Sequence, residues 1–288
     1  MFSIIVCSIR PEQAAALERN IASTIGVPFE FIAFDNRGIG KGICTVYNEC
    51  AERAKYDLLC FVHEDVAFHT QDWGKILAAK LSESNCGVIG FAGATAKYPY
   101  IYGWQSLRSF TRKNYIRGSF DGGRKSLRRS AGRADFDRVV TLDGMVLCVR
   151  RELWAENRFD SEMFDGFHSY DTDFTTSLFS KGYVNYVCKS VLIEHFSVGS
   201  FSRGWYESVL RYLQKWQGVL PLYIDSEHSA KEILRKETAV EGFALLYLLK
   251  NRILSSEEAA CRVREFCGKH SLSLYSLKLM LKLRKYRE

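Results

Sequence analysis

Short apolar segments, each followed by a segment of helical periodicity, make up the N-terminal third of the chain. The strand-like segments are FSIIVC (2–7), FEFIAF (29–34), DLLCFV (57–62) and GVIGFAG (87–93). The helices between them are predicted over residues 11–25, 43–55 and 72–84, the last with Asp72 as its N-cap. Continuous rather than alternating apolar strands, joined by helices, are typical of a parallel sheet covered on both faces. The sequence therefore predicts an α/β fold with a Rossmann-like, mostly parallel sheet flanked by helices.

The remainder of the chain does not follow this alternation of strand and helix. Residues 95–138 are rich in Gly, Ser, Arg and aromatic residues, and we expect a long functional excursion at the edge of the sheet. A strand and a short helix return over 139–154, a helix capped by Ser169 is predicted over 169–182, and two short strands over 183–196. From Arg203 the pattern is mainly helical, although residues 278–284 alternate at strand period. The chain thus divides into a principal domain, 1–204, and a C-terminal helical appendage, 205–288.

Composition favours a folded protein of the cytosol. Of 288 residues, 47% are hydrophobic and 4 are proline, which indicates a sizeable core without long disordered linkers. The 9 cysteines include no C-x-x-C pair and mostly lie in apolar segments, so we expect reduced core thiols rather than disulfides or a zinc site. The start MFSIIVCSIRPEQ turns polar too early for a signal peptide, and no apolar run is long enough to span a bilayer. These features predict a cytoplasmic protein.

Positive charge is concentrated in one segment. The net charge is +7, and residues 95–138 carry eleven basic residues against Asp121, Asp135 and Asp137. The rest of the chain is therefore close to neutral, and an anionic partner should be sought at this segment. A solvated surface loop is the alternative interpretation.

Asp35 follows the second predicted strand and opens the glycine-rich turn DNRGIGKG. Ligands of open α/β sheets bind at the carboxyl ends of the strands, so Asp35 is placed to accept hydrogen bonds from a base or a ribose. The turn is not a dinucleotide fingerprint, because here the acid precedes the glycines. The alternative is a simple glycine turn with Asp35 as a helix cap.

The triplet His63-Glu64-Asp65 interrupts the apolar run FVHEDVAF at the end of the third strand. Alternation along an extended chain directs His63 and Asp65 to one side and Glu64 to the other. Two ligands on one side suit a divalent cation that also holds phosphate oxygens, such as Mg²⁺ or Mn²⁺. A solvated loop remains the alternative.

Three segments in chain order resemble those of a known enzyme family. SIIVCSIR resembles its opening strand and nucleotide-binding turn, FDNRG its strand-two motif, and VYNECAERAKYDLLCFVHEDV the helix and strand before its D-x-D metal motif. The order is similar to that of the family two nucleotide-sugar glycosyltransferases of the GT-A fold, over roughly residues 2–205. The resemblance implies a GT-A-like catalytic domain. The residues that it implies for nucleotide-sugar binding are Ser8, Arg10, Asp35, Asn48 and Glu64.

The same resemblance implies a Mn²⁺ or Mg²⁺ cofactor. His63 stands where the family has the first Asp of its metal motif, which leaves Asp65 as the remaining carboxylate. His195, in VLIEHFSVGS, matches a histidine that many members place near the metal and the diphosphate. The implied metal ligands are therefore Asp65, His63 and His195, although a single histidine at a strand end is more often structural.

The later motifs imply a catalytic base and an acceptor side. SYDTDFTTSLFSKGY looks like the family's Glu-Asp-x-Asp helix start, so Asp171 falls on the base while Tyr170 stands where Glu is common. TLDGMVLCVRRELW resembles the acceptor-side segment, with Asp143 as a contact, and Trp104 and Asp173 are further candidate contacts. Asp171 and Asp173 lie about 200° apart around a helix, so both cannot face one cleft. Near a helix N-terminus either can instead cap it or complement its dipole.

Together the motifs imply an inverting transfer of a sugar from a nucleotide-diphosphate donor, with a UDP-sugar as the leading expectation. Asp171 would take the proton of the attacking hydroxyl, and the metal would neutralise the departing diphosphate. A glycan or a lipid-linked compound is the expected acceptor, with peripheral contact at the inner face of the cell membrane and a homo-oligomer as further expectations. Two other classes stay open. The altered motifs would also suit a noncatalytic sugar-nucleotide binder, and the basic, aromatic segment could bind nucleic acid, although no recognition module is present.

Overall fold

The structure is a computed structural model that describes residues 1–105, 107–119, 123–197, 201–224, 230–271 and 273–287. At 230–235, 285 and 287 the description covers the backbone alone. Asp121, one of the acidic residues counted in the basic segment, lies outside the described residues.

Strands and helices alternate through the first part of the chain. In chain order the strands are β1 (Phe2–Ser8), β2 (Phe29–Asp35), β3 (Leu58–Val62), β4 (Val66–Phe68), β5 (Cys86–Gly90), β6 (Ala92–Ala94), β7 (Ala96–Lys97), β8 (Thr111–Arg117), β9 (Ser126–Arg129), β10 (Phe136–Val139), β11 (Thr141–Leu142), β12 (Val146–Arg150), β13 (Val184–Cys188), β14 (Ile193–His195) and β15 (Leu222–Tyr223). The α-helices are α1 (Pro11–Thr24), α2 (Ile43–Glu52), α3 (Trp73–Leu81), α4 (Arg151–Glu156), α5 (Tyr170–Ser180), α6 (Arg203–Lys215), α7 (Ala230–Lys250), α8 (Ser256–Lys269) and α9 (Leu274–Arg287), and a 3₁₀ turn covers Arg108–Phe110.

The main sheet has the order β10-β13-β5-β12-β3-β1-β2. Strand β1 pairs in parallel with β2 and β3, and β13 pairs in parallel with β5. Strand β12 runs antiparallel between β3 and β5, and β10 is antiparallel at one edge. The prediction of an α/β fold with a mostly parallel sheet is confirmed.

Helices cover both faces of this sheet, as the continuous apolar strands predict. One core cluster joins Ile4 and Val6 of β1 to residues of α1 and α3, while the other joins Ile5 to residues of α2 and α5. Neighbouring residues of one strand are therefore buried on opposite faces, which is why the strand carries no polar face.

A second sheet, of order β11-β6-β8-β14-β4 with β9 paired to β8, lies beyond the carboxyl end of β3. The excursion predicted at 95–138 is not a loop, because it contributes β7 to β10, and its strands β8 and β9 form an antiparallel ribbon in this sheet. The sequence signal was weak because TRKNYIR carries charged residues on both strand faces, so no period-2 apolar stripe marks it.

Two predicted helix caps are wrong in detail. Asp72 and Ser169 precede α3 and α5, but both adopt left-handed backbone, with φ of 56° and 65°, and neither side chain caps its helix. Asp72 pairs instead with Lys75, at 2.9 Å. An N-cap bond requires extended backbone that directs the side chain at the helix amides, which these residues do not have.

Helices α6 to α9 enclose a separate core cluster that includes Val209, Leu248, Phe266 and Leu279, together with Ile101 from the excursion. The segment 278–284, which alternates at strand period, lies within α9. The predicted division at 204 and 205 falls inside α6, whose Tyr212 packs in the core of the first domain.

The cysteines are all free thiols, as expected, and most of them are buried. Within the described ranges, no helix combines the length and apolar character needed to cross a membrane.

Candidate functional site

The chain crosses from the main sheet to the second sheet at His63-Glu64-Asp65, between β3 and β4. The backbone amide of His63 donates to the carbonyl of Met145, just before β12, and the carbonyl of Asp65 accepts from the amide of Phe196, just after β14. Because strands on both sides hold this crossing, its three side chains have fixed directions.

His63, Asp65 and His195 come together, as the sequence predicts. One ligand atom from each lies within 4.8 Å of the others, and His195 Nε2 is 3.4 Å from Asp65 Oδ1. Burial works to raise the pKa of Asp65, but the His195 bond and the neighbouring imidazoles outweigh it and hold that pKa well below its usual range. Burial lowers the pKa of His63 to about 4, so its imidazole is neutral and available as a ligand at neutral pH.

This cluster suits a divalent cation. Ligands on opposite sides of an ion bound at about 2.1 Å lie about 4.2 Å apart, so the observed spacing needs only small shifts. Two imidazoles with one carboxylate favour a transition ion such as Mn²⁺ over Mg²⁺, which prefers oxygen ligands.

A chain of hydrogen bonds joins the metal-ligand cluster to Asp171. Tyr170 Oη is 2.7 Å from His63 Nε2 and donates to the Gly144 carbonyl at 3.1 Å. The Gly144 amide donates to Asp171 Oδ2 at 2.9 Å. A Cβ added at Gly144 would come within 2.0 Å of the Tyr170 oxygen, so this close approach requires glycine. The two departures from the family pattern, His63 and Tyr170, are therefore bonded to each other.

Asp171 is a carboxyl group in an unfavourable environment for its charge. Burial and the nearby Asp143 raise its pKa to about 7, against hydrogen bonds from the Thr172 and Gly144 amides that favour the charged form. Its side chain keeps partial exposure to solvent. A partly accessible carboxyl with a pKa near neutrality has the properties of a general base.

Asp173, a predicted acceptor contact, lies on the other side of α5. Its carboxylate accepts from Lys215 Nζ and Trp216 Nε1, both at 2.8 Å, and the residue is buried. Helix geometry required that the two aspartates diverge, and the structure brings Asp171 rather than Asp173 to Gly144. Asp173 instead ties α5 to α6.

Glu64 points away from His63 and Asp65, as alternation predicts, and holds the turn after β1. Its carboxylate accepts from Ser8 Oγ at 2.6 Å and from the amides of Ile9 and Arg10 at 3.2 and 3.0 Å. Ser8, Arg10 and Glu64 therefore form one structural unit at the end of β1.

Asp35 lies beside this turn, because Ser8 and Asp35 are paired residues of β1 and β2. Its carboxylate makes a bidentate contact with Arg37, at 2.6 to 3.1 Å, which holds the pKa of Asp35 at about 2. The alternative reading of Asp35 as a helix cap is excluded, since α2 begins after Gly42.

Asn48, a predicted nucleotide contact, bonds to residues 154–159 and not to the turn after β1 or to Asp35. Its amide donates to the Phe159 carbonyl at 2.8 Å and accepts from the Trp154 indole and the Phe159 amide at 3.2 Å. These bonds use the side chain to fasten residues 154–159 to α2, which is a structural role.

Asp143 lies near Asp171, and the segment that carries Asp143 is bonded to Trp104. The Asp143 amide donates to Ala92 at 2.8 Å, and the Trp104 carbonyl accepts from Thr141, two residues before Asp143. Lys113 Nζ lies 5.5 Å from the centre of the Trp104 ring. The two predicted acceptor residues therefore both lie near Lys113.

Sequence reasoning missed two residues of this region. Lys97 is buried, donates to the carbonyls of Tyr102 and Gly103 at 2.6 and 2.9 Å, and has its pKa lowered by burial to about 7. It fixes the loop that carries Trp104. Phe167 is 56% exposed, with its ring 5.5 Å from that of His63. No local pattern marks either residue, because both act through contacts distant in sequence.

Comparisons with known proteins agree with this geometry. The model of a family described as "Glycosyltransferase like family" matches residues 3–197. Among solved structures, S. aureus TarS 1-349 in complex with UDP-GlcNAc aligns with a TM-score of 0.51 and 13% identity, over 99% of this chain and 91% of that one. GalNAc-T7 with UDP, GalNAc and Mn²⁺ aligns with a TM-score of 0.51 and 10% identity, over 82% of this chain. The chain spans 54% of GalNAc-T7, and no curated protein matches it by sequence. At these identities the structural likeness establishes a shared GT-A fold.

Proposed function

Because this chain belongs to the glycosyltransferase-like family, we propose that it is an inverting glycosyltransferase that moves a sugar from a UDP-sugar to a hydroxyl of a glycan or lipid-linked acceptor. The observation that carries the proposal is the hydrogen-bonded path from the His63–Asp65–His195 cluster to Asp171. It joins a site suited to a diphosphate to a carboxyl group suited to accept a proton.

Asp171 is the general base of this proposal. The acceptor oxygen forms a bond to the anomeric carbon while the bond from that carbon to the diphosphate breaks, and the electron pair leaves with the diphosphate. Asp171 takes the hydroxyl proton. Its pKa of about 7 makes the carboxylate basic enough to do so while much of it is still ionised at neutral pH. One displacement inverts the anomeric configuration.

The residues that would hold the metal are His63, Asp65 and His195. A divalent ion bound there supplies charge neutralisation for the diphosphate leaving group. Tyr170 positions the imidazole of His63, since its hydroxyl bonds Nε2 and leaves Nδ1 as the other ring nitrogen.

The turn after β1 supports the donor side of the proposal. Glu64 holds the amides of Ile9 and Arg10, and Asp35 offers an ionised acceptor for a base N–H next to Ser8. The TarS and GalNAc-T7 complexes contain UDP-GlcNAc and UDP respectively, which favours UDP as the first nucleotide to test.

Donor hydrolysis and binding together test this proposal. UDP with Mn²⁺ should raise the melting temperature of the parent and of Asp171→Asn equally, because the Asp171 carboxylate bonds to Gly144 and Thr172 and not to His63, Asp65 or His195. Transfer or slow hydrolysis of UDP-sugars should fall by about 10²–10⁴ in Asp171→Asn. Equal rates for variant and parent would remove Asp171 from this role, and absence of any nucleotide effect would refute the donor assignment.

A noncatalytic sugar-nucleotide binder is the second candidate, favoured by the two altered motif positions, His63 and Tyr170. It predicts binding of UDP with Mn²⁺ and no turnover of any UDP-sugar. A panel of UDP-sugars assayed for release of UDP separates it from the enzyme.

A further inference from the structure

The ribbon of β8 and β9 has two different faces. Residues alternate across each strand, and Tyr115 pairs with Arg128 while Asn114 pairs with Arg129. Side chains of paired residues point to the same face. The side chains of Arg128 and Arg129 therefore lie on opposite faces of the ribbon.

One face packs on the protein, and its basic residues have partners there. Asn114 donates to the carbonyls of Cys188 and Val191, and Arg129 donates to the Lys189 carbonyl at 2.8 Å. Lys125, just before β9, pairs with the buried Glu194 at 2.8 Å. Arg129 and Lys125, two basic residues of segment 95–138, therefore have structural roles.

The other face carries Lys113, Tyr115, Arg117 and Arg128, and we call it the cleft face. The charge of Asp143 acts on both Lys113 and Tyr115, so this face lies beside that predicted acceptor residue. Arg117 is the partner of His195 in the parallel pairing of β8 with β14. The face thus begins beside the metal-ligand cluster and continues away from it.

The cations of the cleft face repel one another. Burial and the charges of Arg128 and Arg117 lower the pKa of Lys113, against the opposing effect of Asp143. Across the described part of the chain, no carboxylate forms an ion pair with Lys113, Arg117 or Arg128. Asp143 is one carboxylate near three cations of the same face, so the face keeps an excess of positive charge that a bound anion would relieve.

We propose that the cleft face binds a phosphate group carried by the acceptor, close to the hydroxyl that reacts. Arginine guanidinium groups match phosphate oxygens with two parallel hydrogen bonds, and the Tyr115 hydroxyl adds a donor. The inference rests on the proposed function, because it assigns the acceptor of that same cleft.

Arg128 lies one strand farther than Arg117 from His195. Adjacent strands are about 4.8 Å apart, so β9 and its Arg128 lie about 10 Å from β14 and His195. A diphosphate held by a metal at His195 reaches Arg117 more easily than Arg128. We therefore assign the phosphate that contacts both arginines to the acceptor, and the UDP and Mn²⁺ thermal shift described below tests this assignment.

The test uses sn-glycerol 3-phosphate, which joins a hydroxyl group to a phosphate, with glycerol as the uncharged comparison. Binding is measured by ³¹P line broadening in EDTA, so that a metal-dependent diphosphate site is not populated. We compare the parent, Arg117→Gln/Arg128→Gln and the matched control Arg19→Gln/Arg133→Gln, whose arginines lie exposed on α1 and on the loop after β9. The cleft-face variant should bind about ten-fold more weakly, and the control should equal the parent.

A second arm distinguishes the source of the phosphate. Co-sedimentation with phosphatidylcholine vesicles containing one-fifth phosphatidylglycerol should be lost in the cleft-face variant if the phosphate is on a lipid. If soluble glycerol phosphate binds and vesicles do not, the acceptor is a soluble phosphate ester, and the proposal stands.

Two results overturn the inference. One is equal binding of glycerol phosphate, or none, in parent and cleft-face variant. The other is loss of the UDP and Mn²⁺ thermal shift in the cleft-face variant, which would assign the face to the donor. If UDP fails to bind the parent while glycerol phosphate binding depends on the two arginines, the proposed donor fails and the anion site survives.

Discussion

The ionisation of Asp171 should be visible in the stability of the protein, apart from any assay of activity. Its pKa of about 7 exceeds the ordinary value of 3.8, because burial and Asp143 disfavour the charge. Between these two values the folded chain holds a proton that the unfolded chain has released. The free energy of unfolding therefore falls by about 1.36 kcal/mol for each pH unit from about 4 to 7, and is level above 7.

Asp171→Asn removes this titration. Between pH 5 and pH 8 the parent crosses two pH units in which its free energy of unfolding falls. Over that interval the free energy of unfolding of the variant should therefore rise by about 3 kcal/mol relative to that of the parent. The amide also places an N–H₂ group against a backbone amide, either Gly144 or Thr172, which costs about 1–3 kcal/mol at every pH. The test is therefore how the difference in unfolding free energy between variant and parent changes with pH, and not whether the variant is more or less stable at one pH.

Urea denaturation followed by tryptophan fluorescence at pH 5, 6.5 and 8, in EDTA, measures this difference. Asp35→Asn is the matched control, because the pKa of Asp35 is held at about 2 by Arg37 and the carboxylate is ionised throughout this range. Its difference from the parent should not change with pH. A difference in unfolding free energy that is constant with pH for Asp171→Asn as well would refute the interpretation of Asp171 as a partly buried carboxyl with a raised pKa.

Three further substitutions test the connections around the site. Tyr170→Phe removes the hydroxyl bonded to His63 and should weaken Mn²⁺ binding about 10–100-fold in calorimetry. Glu64→Gln replaces an acceptor of several hydrogen bonds, including that from Ser8, and should reduce UDP affinity about 5–100-fold. Gly144→Ala drives a Cβ to 2.0 Å from the Tyr170 oxygen and should lower the free energy of unfolding by about 1–3 kcal/mol in urea titrations.

Each of these substitutions has a matched control in the chain. Tyr183→Phe and Glu18→Gln make the same changes away from the cluster, and Gly166→Ala adds a methyl where no atom lies within 4 Å. Metal binding unchanged by Tyr170→Phe would show that His63 is positioned without it. A Gly144→Ala variant as stable as Gly166→Ala would contradict the packing described for Tyr170.

The placement of side chains at strand ends could be read from the sequence because it depends on local periodicity. The apolar runs that end at Val62 and Phe34 located Asp65 and Asp35, and two-residue alternation separated Glu64 from its neighbours. Helix geometry likewise required Asp171 and Asp173 to diverge. It did not say which of the two faces the cleft.

Other features depend on a distant partner or a backbone conformation, which no local pattern reveals. Asn48 has the chemistry of a nucleotide contact, but residues 154–159 occupy its amide. Asp72 and Ser169 have capping side chains, but their left-handed backbone turns those side chains from the helix amides. The β8–β9 ribbon was read as an excursion because both faces of β8 carry charge.

By itself the sequence determined the apolar strands of the N-terminal third, the strand ends at which polar groups gather and the direction in which each leaves its strand, since all of these follow from neighbours along the chain. The tertiary structure decided which groups meet. Tyr170 reaches His63 from 107 residues away, and Arg128 and Arg129 are separated only once β9 pairs with β8. Such contacts depend on how the elements pack, because the periodicity of a segment does not specify which distant residue it will contact.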